Sequence, residues 1–252
     1  MPKSLIIAGE TCLQLRRDKI FAPVLIAALV TGALAALISG FSIEEITKIY
    51  LDLGLGLFHM TGITIAIMWG AKLYSNSSSE FCAGHETLLS GLVSRQQWLT
   101  GRFIGLSSTL IIIGLILTTS WFTIGVLFRT INWQKELLLF LPFLGYLLEW
   151  IVMAAMTMLI AASSGQAVTF FTSFTLWALG QFAKPIYEIL TPQHPKVSFL
   201  IIGFIKETWN LSIFGNINNF EDLAYASCYA AALIVALHLM TVVIFRKRDI
   251  IN

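Results

Sequence analysis

Between Lys19 and Glu44 the chain runs through 24 residues without a formal charge, and runs of this kind recur along its length. At about 1.5 Å of rise per residue, a helix of roughly 20 apolar residues crosses the hydrocarbon core of a bilayer. Charge-free runs of that order occupy 20–43, 53–71, 103–128 and 223–245. From 137 to 183 the one charge is Glu149, and 47 residues are too many for a single crossing. The polar cluster Ser163-Ser164-Gly165-Gln166 divides that stretch into a predicted hairpin of two helices, 137–162 and 167–189. The pattern predicts an all-α polytopic membrane protein, one domain over residues 1–252 with six transmembrane helices.

Hydrophobic residues make up 57% of the 252 and charged residues 12%, against about a quarter charged in an ordinary soluble domain. So few charges cannot cover the surface of a folded chain of this size, which excludes a single soluble globular domain. The net charge of +2, with no basic run interleaved with aromatics, predicts no nucleic-acid partner. Cys12, Cys82 and Cys228 stand far apart, which predicts neither a metal cluster nor a disulfide framework. Basic residues are retained on the cytoplasmic side of a membrane. Placing both termini there puts Lys3, Arg16, Arg17, Lys19, Lys72, Arg95, Arg102, Arg246, Lys247 and Arg248 inside. Lys48, Arg129, Lys135, Lys184, Lys196 and Lys206 are left outside. Ala33-Leu34-Ala35 is a candidate signal-cleavage site, but the apolar run continues past it, and the first helix is expected to be retained. Trp69 and Trp98 near the inner boundary, and Trp133 and Trp209 near the outer one, read as interfacial anchors.

Three segments outside the spans carry a pattern. In 4–17, Leu5, Ala8, Cys12 and Leu15 recur at helical spacing, with Lys3, Glu10, Gln14 and Arg17 opposite, which predicts an amphipathic helix on the inner membrane surface. The inner loop between Lys72 and Arg102 opens on a run of serines and turns helix-like through Glu80, Glu86, Leu88-Leu89 and Leu92-Val93 to Arg95. The outer connection before the last span holds nine apolar residues, 197–205, enough to dip into a membrane but not to cross it.

This layout resembles the permease subunit of type 2 ABC exporters. In sequence the resemblance concentrates in Glu80, Gly84, Glu86, Leu88-Leu89 and Val93-Ser94-Arg95, followed by Gly101-Arg102 and, at the chain's close, Phe245-Arg246-Lys247-Arg248. Leu92 stands where that family commonly has proline. The resemblance implies a bacterial inner-membrane transport subunit that pairs with a second copy or a related permease to form a pathway. It also implies separate cytoplasmic ATPase subunits, with ATP and Mg bound in that partner and no cofactor in this chain. The segment 80–95 would be the coupling helix, with Glu80, Glu86, Leu88, Leu89 and Arg95 facing the ATPase, and 4–17 the elbow helix. The chain contains no Gly-x-x-x-x-Gly-Lys-Ser/Thr loop of the kind that holds nucleotide phosphates.

A charge in hydrocarbon is expensive and usually faces a pathway or a partner. Glu149 is such a charge, and it is expected to be protonated, to pair with a group such as His238 or Lys184, or to line a substrate route. His59 in the second span and His238 in the sixth are the other candidates for a pathway or an intramembrane ion pair, and neither has neighbours at metal-ligand spacing. Gly101 and Gly105 form the small-xxx-small spacing that lets helices approach closely. Two alternatives stand beside the exporter. Ser163-Ser164-Gly165 with His238 is similar to the serine–histidine pair of rhomboid intramembrane proteases, although the Gly-x-Ser-Gly motif is incomplete and the serines fall at a turn. A secondary carrier is the other, yet carriers usually show internal repeats and no second copy of a segment is evident.

Overall fold

In a computed structural model the chain is described over residues 3–18, 46–74, 93–127, 140–190, 208–217 and 219–247, with isolated positions between 22 and 37. The helices among the described residues are α1 (Lys3–Arg16), α2 (Ile46–Tyr74), α3 (Arg95–Leu127), α4 (Phe140–Ala161), α5 (Gln166–Leu190) and α6 (Phe220–Lys247). A 3-10 turn, Leu211–Ile213, precedes α6. Four of these helices, α2, α3, α4 and α6, are long and apolar enough to cross a membrane. Helix α5, expected as a span, is punctuated by Gln181, Lys184 and Glu188 and is not one of the four. The expected first span, 20–43, lies largely outside the described residues. The described residues therefore supply four spanning helices rather than six.

Helix α4 occupies the centre, touching α2, α3, α5 and α6. Its Trp150, Val152, Met153, Ala154, Ala155 and Met158 are fully buried. Close packing depends on missing side chains: the Trp150 ring fills the space that a Cβ on Gly62 of α2 would occupy. Trp69 and Trp98 are core residues, 1% and 2% exposed, and not interfacial anchors. The Trp98 ring stacks on Phe245 and carries the Arg102 guanidinium 4.4 Å above it, which explains its burial. Trp133 lies outside the described residues, and Trp209 is half-buried, donating to the Leu176 carbonyl at 3.0 Å.

Helix α3 begins eight residues earlier than the charge pattern predicts, at Arg95. A reciprocal capping box sets this start: the Gln97 N–H donates to Ser94 Oγ, and the Ser94 N–H donates to Gln97 Oε1, both at 3.2 Å. Helix α1 packs along the first turns of α3, where Gly101 and Gly105 leave room for it. A Cβ on either glycine would stand 2.7 Å from a backbone carbonyl of α1, Ser4 O or Ala8 O. The buried stripe of α1 is Ile7, Ala8, Thr11 and Leu15, while Leu5, Ile6 and Leu13 are exposed. Thr11 joins that stripe because its hydroxyl is satisfied by Ile7 O at 2.8 Å. Round the helix, the buried stripe is followed by an exposed arc of Leu5, Arg16, Leu13 and Ile6 and then by a polar arc of Glu10, Lys3 and Gln14.

The segment expected to dip into the membrane, 197–205, lies outside the described residues. The stretch that follows it enters the bundle instead. Leu211, Phe214 and Ile217 are buried, and Tyr229 of α6 accepts the Asn210 N–H at 3.0 Å.

Candidate functional site

Glu149 lies near the middle of α4 and is fully buried. A carboxylate removed from water needs compensating donors, because an unpaired buried charge is strongly destabilising. Two helices supply them. Trp177 Nε1 and Gln181 Nε2, one turn apart on α5, donate to Glu149 Oε1 at 2.9 and 2.7 Å. His59 Nε2, from α2, stands 2.9 Å from Glu149 Oε2 as an ion pair. Gln181 Nε2 is also 3.5 Å from His59 Nε2, which closes the triangle. The His59 ring stacks on Tyr146 of α4 with centroids 4.3 Å apart and meets the Trp177 ring edge-on at 5.6 Å. The arrangement is a polar knot joining α2, α4 and α5 inside an otherwise apolar bundle.

The partner of Glu149 is thus His59, and neither His238 nor Lys184. Depth and direction decide this. His238 Nε2 lies 3.1 Å from Thr100 Oγ1, near the end of the bundle where α1 sits, and Lys184 is exposed one turn beyond Gln181. His238 is therefore not part of the knot. Trp177, Gln181 and Tyr146 were not singled out by the charge pattern, since all three are neutral. Their signal was present only as the i, i+4 spacing of Trp177 and Gln181 on one face of α5.

A second set of polar contacts gathers at the α1 end. Arg102, buried in α3, donates to Leu73 O at 2.7 Å, and Lys72 pairs with Asp18 just beyond α1 at 2.9 Å. Arg95 Nη1 donates to Phe245 O at 3.3 Å, which ties the first residue of α3 to the last turns of α6. Leu73 and Phe245 each lie within the final turn of a helix, where carbonyls lack intrahelical partners and the helix dipole attracts cations. Of the expected ATPase-facing residues, Arg95 is in this ring, while Glu80, Glu86, Leu88 and Leu89 lie outside the described residues.

The residues that a serine protease would bring together are engaged elsewhere. Ser164 Oγ donates to Ile160 O at 2.8 Å and shares a hydrogen with Thr169 Oγ1 at 2.7 Å, at the turn between α4 and α5. Among the described residues no group of three or more His, Cys, Asp or Glu side chains is placed to hold a metal ion. Comparison with known proteins finds no matching family model and no significantly similar curated protein.

Proposed function

We propose that this chain is the membrane-spanning permease subunit of an ATP-driven exporter, which forms a pathway as a dimer and is driven by separate cytoplasmic ATPase subunits. The observation that supports this reading is the ring of contacts at the α1 end. The segment between α2 and α3, which resembles the exporter coupling helix, leaves from Lys72 and Leu73 and returns at Ser94 and Arg95. The departure point is held by Asp18 and Arg102, and the return point by the capping box and by Phe245 O. A push on that segment is passed at once to α1, α2, α3 and α6. Rigid-body transmission of this kind is what a permease without its own ATP site needs. Helix α1, with its buried stripe, the exposed Leu5, Ile6 and Leu13 and a polar arc, suits an elbow at the membrane surface. Both termini then face the cytoplasm and the knot around Glu149 lies within the membrane.

Affinity purification of the detergent-solubilised chain, with mass spectrometry and an ATPase assay of the eluate, tests this. A nucleotide-binding subunit is expected to co-purify with the chain and to be lost in Glu86→Lys. Recovery of the chain alone, without ATPase activity, would overturn the exporter reading.

A further inference from the structure

We infer that Glu149 is the recognition point for a cationic cargo: a primary ammonium carried on an apolar, ring-bearing body, which takes the place of the His59 side chain in the knot. The inference rests on the exporter reading for the word cargo, but not for the binding itself.

The two oxygens of Glu149 are unequally served. Oε1 accepts from both Trp177 and Gln181, whereas Oε2 makes no hydrogen bond among the described residues and has only the His59 Nε2 approach at 2.9 Å. No lysine or arginine among them bonds this carboxylate, and the basic group nearest Oε2 is an imidazole at the edge of the bundle. His59 is 12% exposed, and its neighbours Gly56 and Met60 on α2 are exposed outright. A Cβ on Gly56 would meet nothing within 4 Å, which leaves the His59 ring space in which to swing aside. The slot it would vacate has Tyr146 as one wall, the Trp177 edge as another and a carboxylate oxygen at its base. Aromatic walls around an anionic base are the surroundings that favour an organic cation.

The acceptor at the base of the slot is Glu149 Oε2, so an ammonium there would be held by that oxygen and by the aromatic walls. Met60 and Phe182, 54% and 58% exposed, lie next to His59 and Gln181 in sequence and present apolar surface for the rest of the molecule. His59 is on this view an internal stand-in for the ligand, holding the carboxylate paired until cargo arrives.

The test uses the full chain in lipid nanodiscs without any ATPase and measures binding of radiolabelled phenethylammonium, with neutral phenethyl alcohol as the control. His59→Ala removes the competing ring and is expected to tighten binding about tenfold, the order of one desolvated cation contact. Glu149→Gln keeps the shape of the knot and is expected to weaken binding by at least about as much. His59→Phe, which fills the slot, is expected to abolish it, and this variant decides the matter if His59→Ala does not fold. Equal binding by the wild type, Glu149→Gln and His59→Phe, or equal binding of the neutral alcohol, would overturn the inference. Because no partner chain is present, failure here is distinct from failure to recover an ATPase.

Discussion

At the α1 end of the bundle, Arg102 and Arg95 donate to the backbone carbonyls of Leu73 and Phe245, whereas near the middle of α4 the charge of Glu149 is answered only by side chains, from His59, Trp177 and Gln181. The first arrangement completes helix ends. Those carbonyls would need a partner in any case, and substituting one arginine leaves water able to replace it where the end is wet. The second creates a need and meets it in the same place. Without Glu149, the donors of Trp177 and Gln181 lose their acceptor, and without His59 the second carboxylate oxygen loses the one basic group beside it. The α1 end is therefore a joint, and the knot is a chemical centre.

The contrast is broken most decisively at Glu149. Glu149→Ala strands several buried donors and is expected to destabilise the protein by about 3–5 kcal/mol, read as a loss of unfolding midpoint in a denaturant titration of the detergent-solubilised protein. Glu149→Gln should retain most of that stability, and equal losses in the two variants would make the centre a matter of shape alone. Gly105→Leu probes the joint. Its side chain would press on Ala8 O and Thr11, and it is expected to take up to about 3 kcal/mol from the α1–α3 contact by overpacking. Limited proteolysis should then release α1 while phenethylammonium binding is unchanged; a simultaneous loss of binding would show that the two regions are one. The smallest effect belongs to Asp18→Asn, which removes a partly exposed ion pair with Lys72 and should shift stability by less than about 1 kcal/mol.

Much of the architecture could be read in the amino-acid order, because lipid makes helices announce themselves as long stretches without charge. Helices α2, α4, α5 and α6 begin and end within seven residues of the limits those stretches set. The start of α3 was misplaced for a physical reason: Arg102 looks like the edge of a span when taken alone, yet a buried guanidinium is stable when a helix-end carbonyl and the Trp98 face receive it. On α1 the apolar spacing picked out Ala8 and Leu15 of the buried stripe but not Thr11, whose hydroxyl is satisfied along the helix. Glu149 stood out as an anomaly of charge and His59 as one of two candidate histidines, but which of them lies beside it did not. Pairing across helices depends on rotation and relative depth, and His59 and His238 look alike until both are fixed. Gln181 and Tyr146, being neutral, gave no such anomaly. The residues 80–92, which carry most of the resemblance to exporters, lie outside the described residues, and the co-purification experiment bears on them directly.

Helix α3 has 33 residues and no proline. At about 1.5 Å per residue it is a rod of about 50 Å, against a hydrocarbon thickness of about 30 Å. One end is seated in the glycine-lined contact with α1, and the rod is longer than the hydrocarbon is thick. A tilt of about 5° at the seated end moves the distant end sideways by about 4 Å, close to the width of a methylene chain. A small angular adjustment at the α1 end thus becomes a displacement of several ångströms at the other end of the helix, with no proline between them.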